Sequence, residues 1–302
     1  MSMTILVPLD GSELSEKALP FAEAIATAFA AKVVLIQAAP FPGPHMWITP
    51  ATYRAERALS QIYLEDTLKR FFTPPAETEI LVPEAEPAPA ILHAIESRNA
   101  DLVVMSTHGH GGLTRALMGS VAEAVLRASP VPLLLVPQQV QRTWSEARPL
   151  PFVVPLDAST HGEHALVPAF RLARALHAHL VLVGAADQHL IVHDMDEATL
   201  AHQRLATLAE TLTAQGVLTT IRVEGESPQT LISKVVEEQR AGLVVMATHG
   251  RTNLDRFLLG SVADEILRSV NVPVLLVRPG MVGALCTGHE IVRTWLERQI
   301  PA

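Results

Sequence analysis

Two glycine-containing segments, one in each half of the chain, carry residue types that bind anions. Residues 101–137 recur with an offset of 141 (242 − 101 = 141), so that Gly119 matches Gly260. Each copy is typical of an apolar strand, a glycine loop, a Gly-Ser step and a helix. Backbone N–H groups at such a helix start bind phosphates and other anions. The repeat therefore predicts an anion-binding loop in each half.

A carboxylate follows the first apolar run of each half. Pro8-Leu-Asp10 matches Pro155-Leu-Asp157 with an offset of 147 (157 − 10 = 147). An aspartate at the end of a strand can accept hydrogen bonds from ribose hydroxyls. Small residues follow the second apolar run of each half, and these are Ala38 and Ala185. A carboxylate, a small residue and an anion-binding loop are the parts of a nucleotide pocket.

Apolar runs alternate with helical patterns in both halves, which is the βαβ arrangement. The patterns predict five strands in each half, with helices over residues 13–31, 162–178, 90–98 and 230–240. The two offsets differ by six (147 − 141 = 6), which predicts an extended loop with six extra residues within 40–60. The predicted fold class is α/β, with two tandem doubly wound parallel five-stranded sheets of the Rossmann-like or flavodoxin-like type.

Ligands of doubly wound sheets lie outside the carboxyl ends of the strands, where the winding direction reverses. The first and fourth strands are expected to be neighbours there, so that Asp10 lies beside residues 106–109. The second strand brings Ala38 alongside. The carboxylate can then accept a ribose hydroxyl, the strand-end backbone can pair with an adenine edge, and the loop amides can face phosphates.

The length of 302 residues and the repeat predict two domains. Their expected bounds are 1–139 and 152–279, with a polar, proline-containing linker at 140–151. The tail, 280–302, has the pattern of a short amphipathic helix over 290–299.

Composition narrows the class of partner. A formal net charge of −8 argues against a nucleic-acid surface, which needs clustered Lys and Arg. The single cysteine, Cys286, excludes an internal disulfide and fits a reducing compartment. The apolar segments do not suit a membrane span, and the N-terminus carries no cleavage signal. The expected location is the cytoplasm, with neither nucleic acid nor membrane as a partner.

The Gly-Ser steps also have a purely structural interpretation. Ser120-Val-Ala-Glu123 has the spacing of a capping box, and Ser261-Val-Ala-Asp264 nearly so, hence each step could serve only to start a helix. Duplication of the whole arrangement favours the ligand interpretation. The two interpretations are compatible, because a capped helix start keeps free amides.

Other chemistries fit the sequence less well. His108, His110 and His249 have poor metal-ligand spacing, with no nearby carboxylate, so no metal site is predicted. The loops lack the Gly-Lys-Ser or Gly-Lys-Thr of P-loop proteins. Ser12 is expected to start a helix rather than to act as a nucleophile, because no histidine has a fixed relation to it in both halves. No catalytic residue is assigned, and enzymatic activity stays open.

The residues above resemble the universal stress proteins in their tandem-domain form, over both halves. The nucleotide signature of that family's ATP-binding branch is Gly-x-x-Gly, nine residues, then Gly-Ser or Gly-Thr. Here the first copy is Ser106-Thr-His-Gly109, nine residues, Gly119-Ser120, and the second copy begins at Ala247. A small residue replaces the first glycine in both halves, which is least intrusive where the local φ is negative.

By resemblance, the two aspartates contact ribose, the two alanines lie against adenine and the glycine segments hold phosphates. The implied ligand is ATP, or ADP or AMP, with Mg²⁺ as a candidate accompanying ion. The residues assigned to nucleotide binding are Pro8, Asp10, Ala38, Ser106, His108, Gly109, Gly119, Ser120, Val121, Pro155, Asp157, Ala185, Ala247, His249, Gly250, Arg251, Gly260, Ser261 and Val262.

The family also implies dimers joined through the fifth strand. The matching edges, residues 132–136 and 273–277, could pair the two halves of one chain as an intramolecular pseudo-dimer, and a homodimer of whole chains stays open.

The predicted function is that of a stress-responsive cytoplasmic protein, a binding and regulatory module that depends on a nucleotide held in one or both halves. One alternative is an interaction protein that binds no nucleotide and whose glycine loops are only structural. Another is a weak ATPase or self-phosphorylating enzyme, for which no base is identified. An ATP-dependent rise in melting temperature would separate the first two.

Overall fold

The computed structural model describes residues 3–39, 50–72, 77–109, 118–144, 150–157, 162–185, 191–192, 195–248 and 259–286. The chain divides into two compact units, Met1–Gln138 (unit 1) and Gln139–Ala302 (unit 2). Both units alternate strands with helices.

Unit 1 contains five parallel strands. They are β1 Thr4–Pro8, β2 Lys32–Ile36, β3 Thr78–Leu81, β4 Leu102–Ser106 and β5 Leu133–Val136. The connecting helices are α1 Glu13–Glu16, α2 Leu19–Phe29, α3 Pro50–Phe71, α4 Pro87–Ser97 and α5 Ser120–Ala128. The strand order is β5-β4-β1-β2-β3, so the winding reverses between β1 and β4. The predicted doubly wound fold and the pairing of the first and fourth strands are confirmed.

Unit 2 repeats this topology. Its parallel strands are β6 Phe152–Pro155, β7 Leu180–Ala185, β10 Thr219–Glu224, β11 Leu243–Ala247 and β12 Val274–Val277, in the order β10-β7-β6-β11-β12. Two short strands, β8 Ile191–Val192 and β9 Met195–Asp196, form a separate antiparallel pair. The helices are α6 Leu166–Ala175, α7 Glu197–Ala214, α8 Pro228–Glu238 and α9 Ser261–Ser269.

Buried apolar strands decide where polar side chains can lie. Every residue of β1, β4, β5 and β11 is buried. Parallel strands that are covered on both faces carry continuous apolar runs instead of alternation. Polar side chains are therefore concentrated at the strand ends, where the loops begin. None of the helices in the described ranges is both long and apolar enough to span a bilayer.

Several helix boundaries differ from the prediction. The helix predicted over 13–31 is divided into α1 and α2, and the one predicted over 162–178 begins as a 3-10 turn, Gly162–Ala165. α4 and α8 begin at Pro87 and Pro228, two or three residues before the predicted starts. Proline suits the first helical position because its φ is already helical and its missing N–H would have no intrahelical partner there.

The region after the second strand differs between the units. In unit 1, residues 40–49 of the predicted loop lie outside the described residues, and α3 begins at Pro50. In unit 2, the corresponding region contains the β8–β9 pair, which the sequence did not predict. Among the described residues, this strand pair is a feature of the unit 2 crossover.

Trp144, within the predicted linker, packs on unit 2. Its Nε1–H donates a hydrogen bond to the carbonyl oxygen of Gly242 (2.8 Å), and its ring centroid lies 5.6 Å from that of Phe152. This part of the linker is thus attached to the second unit. The helix predicted over 290–299 lies outside the described residues.

Four charged side chains meet at the β3 edge of unit 1, where Lys32 Nζ lies 3.3 Å from the Glu77 carboxylate. The Glu79 carboxylate lies 2.9 Å from Lys32 Nζ and 2.6 Å from Arg98 Nε. The hydrogen bond from Lys32 lowers the pKa of Glu79 below its usual 4.5, and Arg98 acts in the same direction. The same contact raises the pKa of Lys32.

This cluster predicts a pH-dependent contribution to stability. Because the folded-state pKa of Glu79 is below its unfolded value of 4.5, its stabilisation is complete above that pH and is lost as pH falls through the lowered folded pKa. Glu79→Gln should reduce the free energy of unfolding of unit 1 by about 1 kcal/mol at pH 7, measured by urea denaturation. The difference from wild type should shrink below pH 4.5. A difference that is constant down to pH 2 to 3 would contradict this account.

Candidate functional site

A cavity of about 690 Å³ opens at the carboxyl edge of the unit 1 sheet, at the ends of β1, β2 and β4. It brings together Asp10 and Gly109, which are 99 positions apart (109 − 10 = 99). Every residue predicted for the site in the first half lines it: Pro8, Asp10, Ala38, Ser106, His108, Gly109, Gly119, Ser120 and Val121. The cavity lies where the winding direction reverses, which is where such sheets bind ligands.

The Asp10 carboxylate is fixed by the turn that follows β1. Ser12 donates two hydrogen bonds to Asp10 Oδ1, from its backbone N–H (3.0 Å) and from its hydroxyl (2.6 Å). Gly11 lies between them with φ of +82°, a left-handed conformation that favours glycine. Ser12 Oγ also accepts from Ser15 N–H (3.1 Å) and so caps α1. The turn therefore orients a carboxylate and starts a helix at once.

Gly109 lies directly against that carboxylate. A Cβ atom at position 109 would overlap Asp10 Oδ2 and would lie 3.0 Å from Asp10 Cγ. Gly109 is not among the described glycines with positive φ, so its backbone conformation does not demand glycine. A larger residue here would instead have to displace the Asp10 carboxylate. The glycine loop and the aspartate are thus matched to each other.

Ser106, which replaces the first glycine of the family signature, fits its position. It is buried at the end of β4, and its hydroxyl accepts a hydrogen bond from His108 N–H (3.3 Å). Ser106 and Ala247 are not among the described residues with positive φ. Neither position therefore has the left-handed conformation that would strain a side chain.

The Gly-Ser step forms a corner in which glycine, not serine, caps the helix. Gly119 is the N-cap of α5, and its N–H donates to Thr107 O (2.8 Å). Ser120 is the first helical residue and its side chain makes no capping bond, so the capping-box interpretation is wrong. Glu123 pairs instead with Arg127, at 2.7 Å. The Ser120 hydroxyl does not cap the helix, and the first-turn amides of α5 receive no hydrogen bond from a capping side chain.

Unit 2 has the same corner. Gly260 is the N-cap of α9, and its N–H donates to Thr248 O (2.8 Å). Because Gly260 and not Ser261 is the N-cap, the near capping box in this half is wrong too. Asp264 pairs instead with Arg268, at 2.5 Å.

The other residues predicted for the site of the second half lie at or near the ends of strands and at the start of a helix. Pro155 ends β6, Asp157 follows two residues later, Ala185 ends β7, Ala247 ends β11, and Ser261 and Val262 open α9. His249, Gly250 and Arg251 lie outside the described residues.

The cavity of unit 1 also contains side chains that the sequence did not indicate. Those from the crossover helices are Glu56, Leu59 and Ser60 of α3 and Pro87, Ala90 and Ile91 of α4. Gln37, between β2 and Ala38, is a further one. The apolar periodicity of a helix indicates which face is buried, but not that a strand-end cavity lies beneath it. Within the described ranges, no group of three or more His, Cys, Asp or Glu could hold a metal ion.

The fold and the cavity define a class of proteins, namely doubly wound α/β proteins with a ligand cleft at the topological switch point. A family model described as the universal stress protein family matches residues 1–137 and 151–278. The chain belongs to the universal stress protein family, and it carries the family's domain twice.

Individual relatives agree with this assignment. A universal stress protein of Mycobacterium tuberculosis H37Rv is 28% identical over 195 residues, covering 60% of this chain and 63% of that protein. The chain thus spans less than two thirds of that relative's length. A second, from M. tuberculosis CDC 1551, is 24% identical over 302 residues, covering 93% of this chain and 98% of the other. A crystal structure of a universal stress protein from Archaeoglobus fulgidus has the same fold, with a TM-score of 0.72, 20% identity and coverage of 92% and 97%.

The glycine-capped corner makes a prediction about stability in unit 2. Ser261→Ala should change the free energy of unfolding by less than about 0.5 kcal/mol, because its hydroxyl does not cap α9. Ser227→Ala in the same unit should cost about 1 kcal/mol, because Ser227 Oγ accepts from Thr230 N–H (3.2 Å) at the start of α8. Urea denaturation of the two variants makes the comparison. Equal losses would mean that Ser261 caps its helix after all.

Proposed function

We propose that this chain binds an adenine nucleotide in the cavity of unit 1 and at the matching position of unit 2. One observation carries the proposal: a fixed carboxylate and a helix N-terminus face the same cavity. The carboxylate of Asp10 suits ribose hydroxyls, and the start of α5 suits phosphate. Membership of the universal stress protein family, and the signature segments in both halves, support the same ligand.

The residues present fit such a ligand. The first intrahelical bond at the corner of α5 runs from Glu123 N–H to Gly119 O (3.0 Å), so the amides of the preceding first turn have no intrahelical partner. Those amides are at the positive end of the helix dipole and can donate to phosphate oxygens. A Cβ at Gly119 would lie 3.3 Å from Thr107 O, so glycine keeps this corner tight. A nucleotide here would be held mainly by backbone groups.

The proposed role is that of a binding and regulatory module in the stress response, in which the bound nucleotide sets the state of the protein. ATP, ADP and AMP are all candidates, with Mg²⁺ as an accompanying ion for the longer phosphate chains.

We further propose a cytoplasmic location, domain limits near 1–139 and 152–279 with the linker between them, and an intramolecular pseudo-dimer of the two halves. Hydrolysis is not part of the proposal, because no base is identified.

Calorimetric titration tests the proposal with matched variants in the two halves. Wild-type protein should bind AMP, ADP or ATP, and ligand at 100 times Kd should stabilise the folded state by about 2.7 kcal/mol. Asp10→Asn keeps an oxygen for the Ser12 turn but removes the charge, and should weaken binding in the first half about tenfold or more. Asp157→Asn should do the same for the second half and leave the first unchanged.

Two different results would contradict the proposal, and each would mean something different. Protein that binds none of the three nucleotides, with or without Mg²⁺, is not a nucleotide-binding module. Binding that Asp10→Asn and Asp157→Asn together do not weaken would mean that the ligand lies elsewhere. Melting temperatures of the variants without nucleotide control for loss of folding.

A further inference from the structure

Two polar side chains lie at the end of the unit 1 cavity that the glycine loop does not reach. Gln37 follows β2 directly, and its backbone N–H donates to Leu81 O (3.1 Å), which fixes the main chain there. Glu56 belongs to α3, the crossover from β2 to β3. Because β1 lies between β2 and β4 in the sheet, both residues are on the far side of Asp10 from Gly109. Both line the cavity.

Each of these side chains has an oxygen that lacks a partner. Gln37 Oε1 and Glu56 Oε2 are buried, and neither has a hydrogen bond among the residues that the structure describes. Buried polar atoms are nearly always hydrogen-bonded, and an unsatisfied one costs about 1–3 kcal/mol. Two such atoms, in side chains that both line one cavity, suit a binding partner that donates hydrogen bonds.

The order of the strands also predicts how the proposed nucleotide is oriented in the cavity. Its phosphates would face the glycine corner beyond β4, and its ribose would face Asp10 at the end of β1. The base would then lie toward β2 and α3, where Gln37 and Glu56 are. The terminal torsions of Gln and Glu side chains are soft, so a small rotation brings either oxygen to the cavity wall.

We propose that Gln37 and Glu56 select the base, and that they favour a purine with an exocyclic amine at C6 over one with a carbonyl there. This inference rests on the proposed function. A Gln amide can pair with adenine through both N6 and N7. The carboxylate of Glu56 accepts from an amine but repels a carbonyl oxygen. Hypoxanthine differs from adenine in this group, and so it is the sharpest probe.

The second half provides a natural comparison. Gly184 occupies the position of Gln37 (37 + 147 = 184), and a Cβ there would lie 2.9 Å from Leu205 Cδ1 of α7. Unit 2 therefore has an apolar contact where unit 1 has an amide. The selection for an amine should belong to the first half alone.

Titrations with AMP and IMP test the inference in protein carrying Asp157→Asn, which should weaken binding in the second half so that the first half is observed at low ligand concentration. We expect AMP to bind about tenfold or more tightly than IMP. Glu56→Gln should bring the ratio close to one, because an amide can donate to the carbonyl of IMP. Gln37→Leu should weaken AMP more than IMP. Glu65→Gln, an equal charge change at an exposed position of α3, should leave the ratio unchanged.

The outcomes separate this inference from the proposed function. Equal affinities for AMP and IMP, or a ratio that neither Glu56→Gln nor Gln37→Leu alters, overturn the selection by these residues but leave nucleotide binding intact. Protein that binds neither nucleotide overturns both. Melting temperatures of each variant without ligand show whether a lost ratio reflects lost folding.

Discussion

The contact between the Asp10 carboxylate and Gly109 is the constraint on which the site depends. The carboxylate is oriented from one side by the Ser12 turn and is covered from the other by a residue that has no room for a side chain. This contact joins the end of β1 to the end of β4, and hence two parts of the chain that only the parallel sheet brings together. The carboxylate is held in one place by these contacts alone, which would reduce the ordering cost of binding the proposed nucleotide.

The helix that follows the glycine loop is built to leave its N-terminus available. In both units a glycine caps the helix, and its N–H is bonded back to the strand end, to Thr107 in one half and Thr248 in the other. Serine takes the next position without capping. A serine cap would have satisfied one of the first-turn amides, so the glycine-capped corner keeps donors for an anion. The repetition of this detail at 2.8 Å in both halves makes it a property of the repeat unit.

The sequence was sufficient to predict those residues of the candidate site whose positions follow from the sheet topology. Asp10, Ala38 and the residues around Gly109 could be assigned because the ends of parallel strands meet at a known place in a doubly wound sheet. Glu56 could not, because its position depends on how α3 packs across the sheet, and helical periodicity does not resolve this. The capping-box interpretation of Ser120 is wrong for a related reason. The spacing of a capping box does not reveal which residue, Gly119 or Ser120, has the extended conformation of the N-cap.

A crystal structure of the chain grown with AMP tests the account most directly. The account predicts AMP in the unit 1 cavity, with its phosphate at the first-turn amides of α5, a ribose hydroxyl on Asp10 and the base toward Gln37 and Glu56. The reversed orientation would contradict the assignment of the two ends. An empty cavity in crystals grown at saturating AMP would contradict the account as a whole.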